Sequence, residues 1–170
     1  MPPVPQQPPP PKPAATLILV RQNESELEFY LLRRSAASRF MPGVYVFPGG
    51  RLEADDRDTD FWLNHVDLSE KEMLGAFNGS PETILPFAVA AIRETWEEAG
   101  VLLAEPKARD SGSEAAPAPW SDPVNHRPAG GLSFKRLAGT RDLILSTSKM
   151  ACWSRWITPQ SMPTRFDTCF

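Results

Sequence analysis

Proline placement is the strongest constraint on what this chain can fold into. Proline fixes φ and has no backbone N–H, so it disrupts a helix interior or a sheet ladder. The 170 residues include 19 prolines, and their spread excludes an all-helical bundle. Eight fall within the first thirteen residues, five in the stretch 104–131, and six punctuate the remainder. The first group predicts an extended, polyproline-type disordered leader over residues 1–13, of the kind that SH3-like partners bind. The remaining residues, 14–170, are enough for one loop-rich α/β or β domain with a single core.

Several function classes fall away on composition. The net charge of −3 leaves no basic footprint for nucleic acid. No apolar run approaches the ~20 residues of a spanning helix, so no membrane partner is expected. Prolines stand where a signal peptide needs a basic start and an apolar segment. Cys152 and Cys169 make no disulfide framework. They read as small buried or edge residues in a reduced, cytoplasmic setting.

Local patterning gives an order of elements. Residues 14–21 read as a strand, 23–25 as a turn and 27–33 as the returning strand of a hairpin. A basic stretch with Arg33, Arg34 and Arg39 follows, then a short strand at 44–47 closed by Pro48-Gly49-Gly50. Residues 55–85 are acidic and then helical. Ser69 and Glu72 stand at capping-box spacing and open a helix to about Phe77. Asn78-Gly79-Ser80-Pro81 is a turn signal. A longer helix starts near Pro86, with Pro81 as a competing first-turn residue, and stops at Gly100. The stretch 104–131 reads as a long surface loop anchored by Trp120. Segments 141–146, 151–157 and 165–170 read as strands, with Trp153 and Trp156 as sheet or core residues. His65 and His126 are isolated and suggest no zinc site.

The sharpest chemical feature is Arg93-Glu94-Thr95-Trp96-Glu97-Glu98-Ala99-Gly100-Val101. At ~100° per residue, Glu94, Glu97 and Glu98 fall within an arc of about 100°. Ala88, Val89, Ile92, Trp96 and Ala99 cover the opposite, apolar arc. Three glutamates at i, i+3 and i+4 repel one another, with Arg93 the one cation nearby. A solvated acidic face is one reading. A hard divalent cation bound by the carboxylates is the other. The glycines of the preceding strand would let a backbone carbonyl approach such an ion.

These two segments together resemble the Nudix hydrolases, whose signature is G-x5-E-x7-R-E-U-x-E-E-x-G-U, with U a bulky apolar residue. The second half stands at 93–101, with Thr95 in place of a bulky apolar residue. The first half starts at Gly50. Asp56 stands six residues later in place of glutamate, and roughly thirty extra residues precede the helix. That interruption is similar to the mammalian peroxisomal coenzyme A diphosphatases. Arg39, Gly43 and Phe47-Pro48-Gly49-Gly50 fit the R-x3-G-x3-F-P-G-G pattern ahead of the box in that branch. Its L-L-T-x-T part is not reproduced at 31–35, whereas 156–159 and 163–168 resemble its C-terminal segment. The resemblance spans about residues 15–170.

The resemblance implies a Nudix-type α/β/α sandwich with a mixed sheet and a helical insertion at about 55–85. It implies a hydrolase, dependent on Mg2+ or Mn2+, that cleaves the diphosphate of a nucleoside diphosphate linked to another moiety, such as coenzyme A or an acyl-coenzyme A. By motif match, Glu94 and Glu98 are the leading metal ligands, Glu97 assists, and the Gly49 or Gly50 carbonyl adds an oxygen. Arg93 orients the glutamates, and Arg39 with Gly49 and Gly50 meets the substrate. Asp167 is a candidate general base beside the helix glutamates, although an ordinary strand-end aspartate is the reading its position favours. The expected partner is a small nucleotide-linked diphosphate, with self-association left undetermined. Two other readings stand beside the enzyme. One is a catalytically silent Nudix-fold module for nucleotide binding or interaction. The other is a truncated, inactive fragment, since proteins of this kind continue past the R-F-D-T strand.

Overall fold

The computed structural model describes residues 9–37, 41–77, 79–107, 133–162 and 164–170. The chain runs β1 (Lys12–Thr16), β2 (Val20–Asn23), β3 (Glu26–Phe29), β4 (Leu32–Arg33), β5 (Tyr45–Val46) and β6 (Gly49–Arg51). Then come α1 (Thr59–Leu63), α2 (Glu70–Phe77), α3 (Pro81–Ala99), β7 (Ala104–Pro106), α4 (Phe134–Arg141), β8 (Leu143–Leu145), β9 (Arg155–Ile157) and β10 (Phe166–Cys169). Single 3-10 turns lie at Asp55–Arg57 and Thr147–Lys149.

The main sheet has the order β6-β1-β10-β9. β1 pairs in parallel with β10 and antiparallel with β6, and β9 runs antiparallel to β10. The sheet is therefore mixed, and with the helices it makes the α/β fold expected from the sequence. Three two-stranded ladders, β2-β3, β4-β5 and β7-β8, complete the strands among the described residues.

α3 occupies the centre. One side meets the sheet through Ala15, Ala90 and Ala91, whose small side chains let helix and strand approach closely. Its other side buries Leu85, Val89 and Ile92 against Trp62, Met73, Phe134, Leu143 and Leu145. A helix apolar on two sides belongs in a core rather than on a surface. Residues of the 55–85 segment supply much of that second core. Trp62 is fully buried and its indole N–H donates to the Asp55 carbonyl at 2.8 Å. Asp67 accepts from the Thr147 hydroxyl and the Ser148 N–H, both at 2.8 Å, which ties the segment to the turn after β8.

Several boundaries differ from the sequence reading. Lys12 and Pro13, expected in the leader, lie in β1. Pro13 is tolerated at the end of the β1–β6 ladder. Leu52 N–H donates to its carbonyl at 3.1 Å, and proline has no N–H to return. The strand expected at 14–21 is two strands, broken over residues 17–19. The glycine pair expected to close the strand at 44–47 belongs to a separate strand, β6, beyond β5.

α3 begins at Pro81, one of the two starts considered, and Pro86 lies inside it. Pro86 gives up one early intrahelical donor, which Glu82 O would otherwise receive. At its far end Gly100 adopts φ 70° and donates to the Trp96 carbonyl at 2.9 Å, as the stop signal predicts. The loop expected at 104–131 opens with β7, held by β8, and residues 108–131, with Trp120 and His126, lie outside the described residues. The strand expected at 151–157 contracts to β9, and neither Trp153 nor Trp156 enters the core; both are exposed. α4, absent from the sequence reading, is capped by Ser133, whose hydroxyl accepts from Arg136 N–H at 3.3 Å.

Candidate active site

Arg93 is the hub. It points inward from α3, is 2% exposed, and all five of its N–H donors are used. Nε and Nη2 fork onto the Asp56 carboxylate at 2.9 and 3.0 Å. Nη2 also reaches the Arg51 carbonyl at 2.9 Å. Nη1 reaches Glu94 Oε1 at 2.9 Å and Glu97 Oε2 at 3.3 Å. Burial alone would lower the affinity of this guanidinium for its proton. The hydrogen bonds and charge of Asp56, with Glu94, outweigh that and hold it above its ordinary value. One side chain thus fixes the helix glutamates, the strand after the glycine pair and the start of the 55–85 segment.

Asp56 is the site residue whose role the sequence reading missed. It is 1% exposed, and Oδ2 also accepts from Glu53 N–H at 2.7 Å. The position was visible in the spacing from Gly50, where the acid is one methylene shorter than the signature asks. The 3-10 turn at Asp55–Arg57 carries the aspartate to the guanidinium, so the shorter side chain still makes a forked pair.

The glutamates divide between two tasks. Glu94 lies directly over Gly50: a Cβ there would stand 2.2 Å from Glu94 Oε1. Burial pushes the Glu94 carboxyl up; Arg93 opposes this, and the neighbouring charges of Glu97 and Glu98 add to it. Glu98 is exposed, and its Oε2 accepts from Gly49 N–H at 3.1 Å. Glu97 turns toward Arg93. The strand β6 and the last turns of α3 therefore bring Glu94 and Glu98 to one glycine backbone.

Among the described residues, no three His, Cys, Asp or Glu side chains form a group that could hold a metal ion. The donors that do meet are hard oxygens: two carboxylates against a strand whose Gly50 has no room for a side chain. Their chemistry suits Mg2+ or Mn2+ rather than a soft-site metal.

The other candidates separate from this centre. Arg39 lies outside the described residues. Arg33 is exposed on β4, and the Arg34 N–H donates to the Val44 carbonyl at 2.9 Å. Asp167 is engaged by Arg155, with Nε at 2.6 Å and Nη2 forking onto the second oxygen. Those hydrogen bonds hold its carboxyl below the usual range, the opposite of what a poised base needs. His65 stacks on Phe61 with ring centroids 4.1 Å apart, and its Nδ1 lies 2.9 Å from the Phe61 carbonyl. Thr95 is fully buried, and its hydroxyl donates to the Ala91 carbonyl at 2.7 Å. The two cysteines, expected as small buried or edge residues, meet as free thiols with sulfurs 3.3 Å apart.

Comparison with known proteins identifies the family. Residues 11–170 match the family model described as the NUDT19 Nudix domain. The chain is 33% identical over 178 residues to the human acyl-coenzyme A diphosphatase NUDT19, covering 82% of this chain and 46% of that protein. It is 32% identical over 183 residues to the Gallus gallus protein of the same name, covering 85% and 47%. The chain thus spans about half the length of these relatives. A crystal structure of a NUDIX hydrolase from Alicyclobacillus acidocaldarius superposes with a TM-score of 0.64 at 27% identity, covering 95% of this chain and 68% of that one. With the family model matching nearly end to end and the arginine and glutamates of its signature converging on the glycine strand, this chain belongs to the Nudix hydrolases.

Proposed function

We propose that this domain hydrolyses the diphosphate of a nucleoside diphosphate linked to another moiety, with coenzyme A or an acyl-coenzyme A as the substrate class. The observation that carries the reading is the meeting of Glu94 and Glu98 at the Gly49-Gly50 backbone. The names of the human and Gallus gallus relatives support the choice of substrate.

In this reading Glu94 and Glu98 hold the divalent cation, Mg2+ or Mn2+, and the backbone of Gly49 or Gly50 offers a further oxygen. Such an ion neutralises charge on diphosphate oxygens and lowers the pKa of water in its shell. The protein's own share is positioning. Arg93 locks Glu94 and Glu97 on one side and Asp56 on the other, so the carboxylates are set before substrate arrives. Gly50 leaves Glu94 room against the strand. Asp167 is not the base, since Arg155 already occupies both carboxylate oxygens.

The test is a phosphate-release screen over coenzyme A esters, NADH, nucleotide sugars and dinucleoside polyphosphates, with Mg2+ and with Mn2+. Hydrolysis that needs the cation and that Glu98→Gln abolishes supports the reading. Unchanged activity in Glu98→Gln removes the site assignment. Nucleotide binding without turnover on any of these substrates favours the silent module instead.

A further inference from the structure

The chain has two cysteines, Cys152 and Cys169, and the fold brings them together although the proposed hydrolysis uses neither. Their sulfurs stand 3.3 Å apart as free thiols. Backbone pairing fixes both. Cys169 closes β10, opposite Arg155 of β9. Beyond that pair, Phe170 N–H donates to the Ser154 carbonyl and Trp153 N–H to the Phe170 carbonyl, both at 2.8 Å. Cys152 is therefore held by its neighbours at the end of the same ladder. A disulfide needs its sulfurs about 2 Å apart, so a side-chain movement of about 1 Å brings these two into bonding distance.

The two thiols differ in access. Cys152 is exposed, whereas Cys169 is half-buried. Both line a cavity of about 220 Å³ whose walls include Leu17, Phe87, Met150 and Phe170. None of Glu94, Glu97 and Glu98 lines it, so the pair stands apart from the carboxylate site. Burial pushes the Cys169 thiol up to about 12, and its hydrogen bond with Cys152 adds to this. Cys169 thus keeps its proton at neutral pH, and Cys152 is the sulfur that an oxidant in solvent meets first.

We infer that Cys152 and Cys169 are a redox-modification site, which a small disulfide of the glutathione type converts to a reversible intramolecular link that staples the segment 150–154 to β10. This goes beyond the hydrolytic reading and does not depend on it. In the first exchange the Cys152 thiolate attacks one sulfur of glutathione disulfide. That S–S bond breaks, and one glutathione leaves as its thiolate. In the second, Cys169 gives its proton to solvent and its sulfur attacks the Cys152 sulfur, expelling the other glutathione thiolate. Two protein thiols are oxidised, one glutathione disulfide is reduced, and the two departing thiolates take up the two protons. The close approach of the sulfurs offsets the reluctance of Cys169 to ionise, because the second exchange is intramolecular. An excess of reduced glutathione runs both exchanges backward.

The experiment is incubation of the full chain with glutathione disulfide, followed by acid quench, blocking with N-ethylmaleimide and tryptic mass spectrometry without reductant. Trypsin cuts after Lys149, Arg155 and Arg165, so the cysteines fall in separate peptides, 150–155 and 166–170. The expected product is a monomer in which those two peptides are joined, and which dithiothreitol separates again. Cys169→Ser is expected to stop with glutathione on Cys152. Cys152→Ser is expected to slow reaction at Cys169 by about tenfold or more. The linked chain is expected to melt about 5 °C or more above the reduced one, because the link closes residues 152–169 into a loop in the unfolded chain. In the unmodified chain, no reaction, glutathione that persists on Cys152, or links formed only between two chains each overturn the inference. So does a linked monomer whose melting midpoint has not risen.

Discussion

Arg93 and Asp56, 37 residues apart, are joined by two parallel hydrogen bonds of 2.9 and 3.0 Å inside the protein. The pair links the helix of the site to the segment that interrupts the signature. Breaking it leaves a buried guanidinium without its main counter-charge. Asp56→Ala is expected to lose about 3–5 kcal/mol of stability, the usual cost of orphaning one partner of a buried pair. Urea unfolding measures this as a fall in midpoint; a midpoint that does not move contradicts the role given to Asp56.

Gly50 is held to zero side chain by Glu94. In Gly50→Ala the new Cβ would stand 2.2 Å from Glu94 Oε1, so the carboxylate must swing away. Misplacing a positioned group by about an ångström costs on the order of a hundredfold in rate. The variant is expected to keep its thermal midpoint within a few degrees and to lose about that factor in kcat/KM. A fully active Gly50→Ala protein would show that Glu94 does not act from this position.

Thr95 departs from the bulky apolar residue of the family signature, and the structure makes the departure harmless. Its hydroxyl is satisfied by the Ala91 carbonyl, and the residue is fully enclosed. Thr95→Val keeps the shape and removes both the hydroxyl and its need for a partner. Its stability is expected to stay within about 1 kcal/mol of the parent, with unchanged turnover. A loss of several kcal/mol in chemical denaturation would mean the hydroxyl does more than satisfy itself.

Asp67 gives a pH dependence with a definite sign. Burial pushes its carboxyl up, but hydrogen bonds from Ser148 and Thr147 prevail and hold it below the usual value. A carboxyl depressed in the folded state adds stability above its unfolded value, near about 4. That stability is lost as pH falls through the folded value. The parent is therefore expected to exceed Asp67→Asn in Tm at pH 7, and the gap should close toward pH 3. A gap that widens in acid would reverse the assignment.

The cysteines differ in exposure although their sulfurs are 3.3 Å apart. Burial pushes the Cys169 thiol up to about 12, and its hydrogen bond with Cys152 adds to this. Cys152 is exposed. With limiting iodoacetamide near pH 8, peptide mass spectrometry is expected to find the first adduct on Cys152, because the thiolate is the nucleophile. Alkylation of Cys169 first would contradict the ordering.

What could be read in advance follows from how local each signal is. The Gly100 stop, the Ser69–Glu72 box and the acidic arc of α3 need only a few consecutive residues, and each is in place. Ser69 N–H and hydroxyl both donate to Glu72 Oε2, at 2.8 and 2.6 Å. β1 was obscured because Lys12-Pro13 looks like leader; what makes it a strand is pairing with β6 and β10, far away in sequence. α4 is eight residues long, too short for apolar periodicity to stand out. At the site, spacing marked Glu94, Glu98 and the glycine pair. It could not reveal that Asp56 closes on Arg93, because that depends on how the intervening segment folds.

The parallel pairing of β1 with β10 also sets an order of events. β6, α3 and the elements between them can associate from contacts within the first hundred residues. β1 lies between β6 and a strand made at the other end of the sequence, so one of its edges stays open until Phe166 to Cys169 arrive. Closing so long a loop carries an entropic penalty before any contact offsets it. Completion of the sheet is thus expected to be the slow and aggregation-exposed step in this domain's folding, with β1, and its Lys12 and Pro13, as the edge that waits.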